Sequence, residues 1–265
     1  MDNRPIGIFD SGIGGLTVFK EVIRELPNES IIYLGDTARV PYGTRSKEII
    51  KKFAIELVDF LLKRKVKCLV VSCNTISSTC LPEIKKYAKI PIIGVIEPAV
   101  FEATQTTRNK KIGVIGTNAT IDSGIYEKKI KELEPKIKVY TQQGSLLVPL
   151  IEEGFSSHSA TRQIAKDYLS RFDGTKIDTL ILGCTHFPLM TEIIAEIMGS
   201  DVTLVDSAKP TAKELKKLLE KNGMLNKDGK PKYEIFVTDA PDRVYEVSQR
   251  FFGNKLPVKP KKVSL

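Results

Sequence analysis

Histidine is scarce in this chain, with only His158 and His186 among 265 residues. The four cysteines, Cys68, Cys73, Cys80 and Cys184, form no CxxC pair, so a structural zinc set is not expected. Unpaired thiols suit a reducing compartment, and the chain reads as cytoplasmic rather than built on disulfides. No apolar stretch approaches the ~18 residues of a membrane span. The chain enters its first apolar run at Pro5 with Asp2 ahead of it, so it reads as neither secreted nor membrane-spanning. It lacks the GxxxxGKS/T phosphate loop and the GxGxxG fingerprint, which leaves nucleotide binding weakly supported.

What is present is ordinary globular material, 42% hydrophobic and 28% charged. The length suits two compact halves of roughly 100 to 150 residues. Lysine and arginine outnumber aspartate and glutamate by 41 to 32, a formal net charge of +9. The excess lies on helical faces such as residues 213–221 and in the tail at 259–262, without interleaved aromatics. It reads as a solvated lysine-rich surface, and nucleic acid is not the expected partner.

Short apolar runs alternate with longer mixed stretches. The runs fall at 6–9, 31–34, 69–71, 92–96, 112–115, 180–182, 202–205 and 235–237. This is the rhythm of strands joined by helical crossovers into parallel sheets. Apolar residues at 49, 50, 53, 57, 58, 61 and 62 predict an amphipathic helix between the second and third runs, and another is expected at 16–26. IGIFDSG at 6–12 resembles IGVIGTN at 112–118, an offset of 106 residues, although two β-α units can be alike by chance. The expected fold is α/β with two pseudosymmetric domains, each a mainly parallel sheet flanked by helices, and an active site in the cleft between them. Breaks at Glu97-Pro98 and at 207–210 suggest a discontinuous first domain, 1–97 plus 208–265, around a second at 98–207.

The repeat carries chemistry. Cys73 in VVSCNT (70–75) and Cys184 in LILGCTH (180–186) each close an apolar run, 111 residues apart. If those runs are buried parallel strands, both thiols lie at carboxyl ends, where open α/β sheets place their ligands. Two thiols on opposite sides of one carbon can remove a proton from one face and return one to the other, which is racemisation. Buried cysteine is usually packing, and that is the reading for Cys68 and Cys80. For the other two, the duplicated context and the polar followers Asn74, Thr75, Thr185 and His186 argue for function. Such a thiol needs an activating neighbour, and Asp10 and His186 are the candidates.

Three further segments join them. GIFDSGIGG (7–15) runs from a strand through glycines into a helix whose N-terminus could hold a carboxylate or phosphate. Equally, those glycines could serve a tight turn, and Asp10 could be a cap beside Ser11. GDTARVPYG (35–43) offers Asp36, Tyr42 and Gly43, either as a ligand loop or as an ordinary turn. LVPLIEEG (147–154) offers Glu152 and Glu153, which as neighbours do not readily face one site; a solvated acidic pair is the alternative. His158 reads as a surface residue with no role.

In order and spacing, FDSGIGG, DTARVPYG, CNT, PLIE and GCTH resemble the glutamate racemases of the aspartate/glutamate racemase superfamily, over nearly the whole chain. The resemblance implies an isomerase that needs no cofactor and no metal and supplies D-glutamate for bacterial peptidoglycan. It implies Cys73 as the base toward D-glutamate and Cys184 as the base toward L-glutamate. Asp10 would assist Cys73, and Glu152 with His186 would assist Cys184. Substrate contacts are implied at Asp10, Ser11, Tyr42, Gly43, Asn74, Thr75, Thr185 and His186, with Thr117 and Thr120 added from IGTNAT (115–120). A homodimer with glutamate as its small-molecule partner is also implied. The residues leave open aspartate as substrate, a Cys184–His186 nucleophile, and a binding protein.

Overall fold

The computed structural model describes residues 2–252 and 256–265. The strands of this part are β1 (Ile6–Asp10), β2 (Ile31–Gly35), β3 (Cys68–Val71), β4 (Ile92–Gly94), β5 (Lys111–Gly116), β6 (Lys138–Gln143), β7 (Thr179–Gly183), β8 (Thr203–Val205), β9 (Tyr233–Val237) and β10 (Lys261–Lys262). They form two sheets, ordered β10-β9-β2-β1-β3-β4 and β6-β5-β7-β8, and every pairing is parallel. Helices connect successive strands, as parallel pairing requires.

The two sheets repeat one plan. In each, the first strand of its half lies between the second and the third, and the fourth pairs outside the third. Thus β1 sits against β2 and β3 as β5 sits against β6 and β7, with Ile6 opposite Ile31 and Cys68, and Ile112 opposite Val139 and Thr179. The α/β class and its pseudosymmetry follow directly. The larger sheet gains β9 and β10 from the end of the chain.

Strands β1, β2, β3 and β7 are buried throughout, which is why they read as unbroken apolar runs. Alternate residues feed separate cores on the two faces of the larger sheet: Ile6, Ile8 and Val70 on one, Phe9, Leu69 and Val71 on the other. The smaller sheet divides likewise, Ile115, Leu180 and Leu182 against Ile112, Val114 and Ile181. Strand β6 lies outside the run-based expectation. Its sequence, KVYTQQ, is half-exposed at a sheet edge and needs no apolar run. The two-residue β10 also escapes, because its lysines are exposed.

The helix expected at 16–26 spans Leu16–Glu25 and buries Leu16, Val18, Phe19 and Val22. The helix of residues 49–62 spans Lys47–Lys63, started by the Ser46 hydroxyl, which accepts from the Ile49 amide. Ile49 itself is exposed, so the buried stripe begins at Ile50. Helix Ala208–Lys221 supplies Ala212, Leu215 and Leu219 to the core that holds β1 and helix Leu16–Glu25. At the far end of the same sheet, fully buried Lys67 pairs with Glu29 at 2.6 Å and donates to the carbonyls of Asp2 (2.9 Å) and Met224 (2.8 Å). This contact ties four separated segments together. Among the described residues, no helix is long and apolar enough to cross a membrane.

Candidate active site

The carboxyl ends of strands from both sheets meet at one small cavity. Ser11 follows β1, residues 40–43 follow β2, Cys73, Asn74 and Thr75 follow β3, Thr117 follows β5, and Cys184, Thr185 and His186 follow β7; Val148 joins them from helix Leu147–Glu152. The cavity holds about 20 Å³, roughly the room of one water molecule. A larger groove of about 670 Å³ lies elsewhere, between residues 92–102, 129–133 and 210–218, and contains neither thiol. Donor chemistry rather than volume therefore marks the site.

Each thiol has its own surroundings. Cys73 caps helix Asn74–Thr79, and its Sγ lies 3.4 Å from the Ser11 hydroxyl. Burial, and then the nearby Asp10, push its pKa up to about 12, against hydrogen bonds from Ser11 and from backbone amides. Asp10 ends β1 and is fully buried, accepting from the Gly12 amide at 3.0 Å and from the hydroxyls of Thr185 (3.3 Å), Ser72 (3.4 Å) and Ser11 (3.4 Å). Burial raises its pKa despite the opposing charge of His186. Asp10 reaches Cys73 through Ser11.

From the other sheet, Cys184 Sγ lies 3.8 Å from His186 Nδ1, and His186 Nε2 lies 2.9 Å from Glu152 Oε1. Burial works against the imidazolium, yet the bonds to Cys184 and Glu152 outweigh it, and the His186 pKa stands well above its ordinary value. The adjacent acidic residues part ways: Glu152 turns inward, and Glu153 turns outward to Arg243 at 2.5 Å. The helix end of residues 147–152 permits this because consecutive side chains point about 100° apart.

The polar lining is continuous across the seam. The hydroxyls of Thr75 and Thr117 lie 2.9 Å apart, as do those of Thr117 and Thr120. Tyr42 donates to Asp36, which also accepts from Arg39 and, at 2.8 Å, from Thr238. Close approach explains two glycines. A Cβ on Gly14 would come within 2.3 Å of Thr185 Oγ1 and 2.6 Å of His186 Nδ1, and one on Gly43 within 2.5 Å of Thr117 Cβ. The start of helix Leu16–Glu25 packs close to Asp10, whose Oδ2 lies 2.9 Å from where a Gly15 Cβ would be.

All ten expected contact residues and all five expected acid/base residues gather around this cavity or touch a side chain that lines it. His158 is elsewhere, capping helix Ser159–Leu169 through Nδ1. Sequence reasoning passed over Ser72, behind Asp10, and Tyr126, whose hydroxyl donates to Asn74 Oδ1 at 2.6 Å. Tyr126 lies on an amphipathic helix where a buried aromatic signals only core, so no local pattern could reveal it. Among the described residues, no group of three or more His, Cys, Asp or Glu could hold a metal ion.

A duplicated α/β scaffold that brings two buried thiols, each with its own hydrogen-bonding partners, to one small cavity marks the protein as an isomerase. The model of the Asp/Glu/Hydantoin racemase family matches residues 6–215. A glutamate racemase of Geobacter metallireducens is 45% identical over 254 residues, covering 96% of this chain and 94% of the relative, and one of Chlorobaculum tepidum is 46% identical over 255. Among solved structures, a glutamate racemase isoform from Bacillus anthracis superposes with a TM-score of 0.96 at 40% identity, covering 100% and 99% of the two chains. The Francisella tularensis glutamate racemase in complex with D-glutamate gives 0.93 at 43% identity, with 100% and 98% covered. The chain belongs to the Asp/Glu/Hydantoin racemase family.

Proposed function

We propose that this protein interconverts L- and D-glutamate by a cofactor-independent two-thiol mechanism. The observation that carries the reading is the meeting of Cys73 and Cys184, from equivalent strand ends of two sheets, at one cavity. A thiolate on one side takes the α-proton, leaving its electron pair on Cα and the adjoining carboxylate. The opposite thiol then gives its proton to the other face, so one proton enters as one leaves. Cys184, backed by His186 and Glu152, takes the proton of L-glutamate while Cys73 protonates the opposite face. The roles reverse for D-glutamate, with Asp10 and Ser11 serving Cys73.

The hydroxyls of Ser11, Thr75, Thr117, Thr120 and Thr185, the amide of Asn74, and Tyr42 with Gly43 contribute the substrate contacts. In a site lined by buried residues such fixed dipoles stabilise the developing charge more strongly than water does. At about 20 Å³ the cavity is smaller than glutamate, so residues of the two halves must separate to admit it. The described residues lining it include no lysine for a Schiff base. The same reading divides the chain into 1–97 plus 208–265 and 98–207, in line with sheet membership. It has the protein act in the cytoplasm as a homodimer, supplying D-glutamate for peptidoglycan; the buried free cysteines fit a reducing compartment, and sedimentation tests the dimer.

The decisive experiment is proton NMR in D₂O with each enantiomer and no added cofactor. Loss of the α-proton signal together with optical rotation is expected from both. Exchange with aspartate alone would move the substrate assignment, and silence with both would refute racemisation. Cys73→Ser and Cys184→Ser are each expected to abolish turnover, and full activity in either refutes the two-thiol mechanism.

A further inference from the structure

The side chain of Asn74 presents a specific problem. It lines the cavity beside Cys73 and is 2% exposed, yet its Nδ2 has no hydrogen-bond partner. A buried amide donor without a partner is costly in a resting protein and useful where a ligand supplies the acceptor. Its other end is held. Tyr126, from helix Ile125–Leu133 of the opposite half, donates its hydroxyl to Asn74 Oδ1 at 2.6 Å.

We propose that Tyr126 is a positioning residue for the reaction, fixing the Asn74 amide across the seam so that Nδ2 is presented to a carboxylate of the substrate. An asparagine amide has two orientations of nearly equal shape, and hydrogen bonding alone selects between them. With Oδ1 toward Tyr126, the buried phenol hydrogen has an acceptor. Turned over, the amide would set its own N–H groups against the phenol, and that hydrogen would lose its acceptor. Burial keeps the phenol protonated by raising its pKa above the ordinary value. The ring itself is locked: Tyr126 is 2% exposed, and its Cε2 lies 3.2 Å from where a Gly183 Cβ would be, one residue before Cys184. Gly183 thus makes room for the ring that orients Asn74. Because the contact joins the two halves, the amide is correctly aimed only when they are closed on each other.

The inference rests on the proposed glutamate reaction, and two measurements separate their fates. In steady-state kinetics, Tyr126→Phe is expected to lower kcat/KM roughly tenfold, mainly through KM, since a bound carboxylate meets the amide before the proton moves. In an Asn74→Ala background the same substitution is expected to cost less than about twofold, because nothing remains to be oriented. Equal losses in both backgrounds, or no loss in the parent, would overturn the proposal. Independently of turnover, the side-chain amide of Asn74 gives a ¹⁵N–¹H pair identifiable by its disappearance in Asn74→Ala. In the ligand-free protein, Tyr126→Phe is expected to shift and broaden that pair, and an unmoved pair overturns the proposal. A parent protein that leaves both glutamate enantiomers unchanged would sink the functional reading, while the amide spectrum would still decide the orientation.

Discussion

Replacing Glu152 with glutamine tests the asymmetry between the two thiols. Glu152 Oε1 lies 2.9 Å from His186 Nε2, and its side chain is only 20% exposed, so solvent screens the pair weakly. Glutamine keeps the shape and a carbonyl acceptor but removes the charge. A hydrogen bond between charged partners contributes about 1.5–3 kcal/mol and a neutral one about 0.5–1.5, so the expected loss is about 1–2 kcal/mol, or roughly 5- to 30-fold in kcat/KM. The enantiomers of glutamate have equal free energies and share one path, so kcat/KM must fall by the same factor in both directions. The direction of the defect appears instead in isotope effects. With α-deuterated substrate, the effect on kcat/KM is expected to rise for L-glutamate, whose proton Cys184 takes, and to fall for D-glutamate, whose abstraction by Cys73 becomes the less limiting of the two transfers. Removing Glu152 also removes a cause of the raised His186 pKa, so the variant's activity is expected to decline first at the alkaline end, where the ring now loses its proton. Polarimetry with labelled substrates makes the test. A loss below about twofold, or an isotope effect that rises from D-glutamate alone, would refute the pairing of Glu152 and His186 with Cys184.

Three further outcomes are expected. Gly43→Ala places a methyl within 2.5 Å of Thr117 Cβ, across the seam, and is expected to reduce kcat/KM by roughly tenfold or more while far-ultraviolet circular dichroism stays unchanged. Lys67→Met leaves Glu29 charged and buried without its cation, at a cost of about 3–5 kcal/mol read as a Tm lowered by roughly 6–20 °C. Asp178 is buried, which opposes its charge, but hydrogen bonds from Thr107 (2.6 Å) and the amides of Arg108 and Asn109 (2.8 Å each) hold its pKa below the ordinary 3.8. A depressed carboxyl stabilises the fold above its unfolded pKa and loses that contribution as pH falls through the folded value. Asp178→Asn is therefore expected to cost about 1–3 kcal/mol at neutral pH, with the difference from the parent closing below pH ~4; denaturant unfolding at several pH values checks it.

Strands β1, β2, β3 and β7 were legible because a parallel strand covered on both faces must be apolar throughout, and no other constraint competes for those positions. Strand β6 was not, because an edge strand is stabilised by pairing with β5 and can keep its lysine and glutamines. The cysteines stood out through duplication: equivalent strand ends in a repeated unit carry equivalent residues. The choice of Glu152 over Glu153 rested on the family resemblance and not on spacing, since their positions differ by one residue and only the direction of the helix end separates His186 from Arg243.

By itself, the sequence determined which strands are buried, that the plan is duplicated, and which polar residues follow each strand, because these follow from local periodicity and chain order. Only the tertiary structure decided what those residues meet. That Gly14 leaves room for Thr185 and His186, that Asp10 reaches Cys73 through Ser11, and that Tyr126 holds Asn74 from the other half are contacts between segments 52 to 172 residues apart. No periodicity encodes such contacts, because they depend on how two separately built sheets come to face each other.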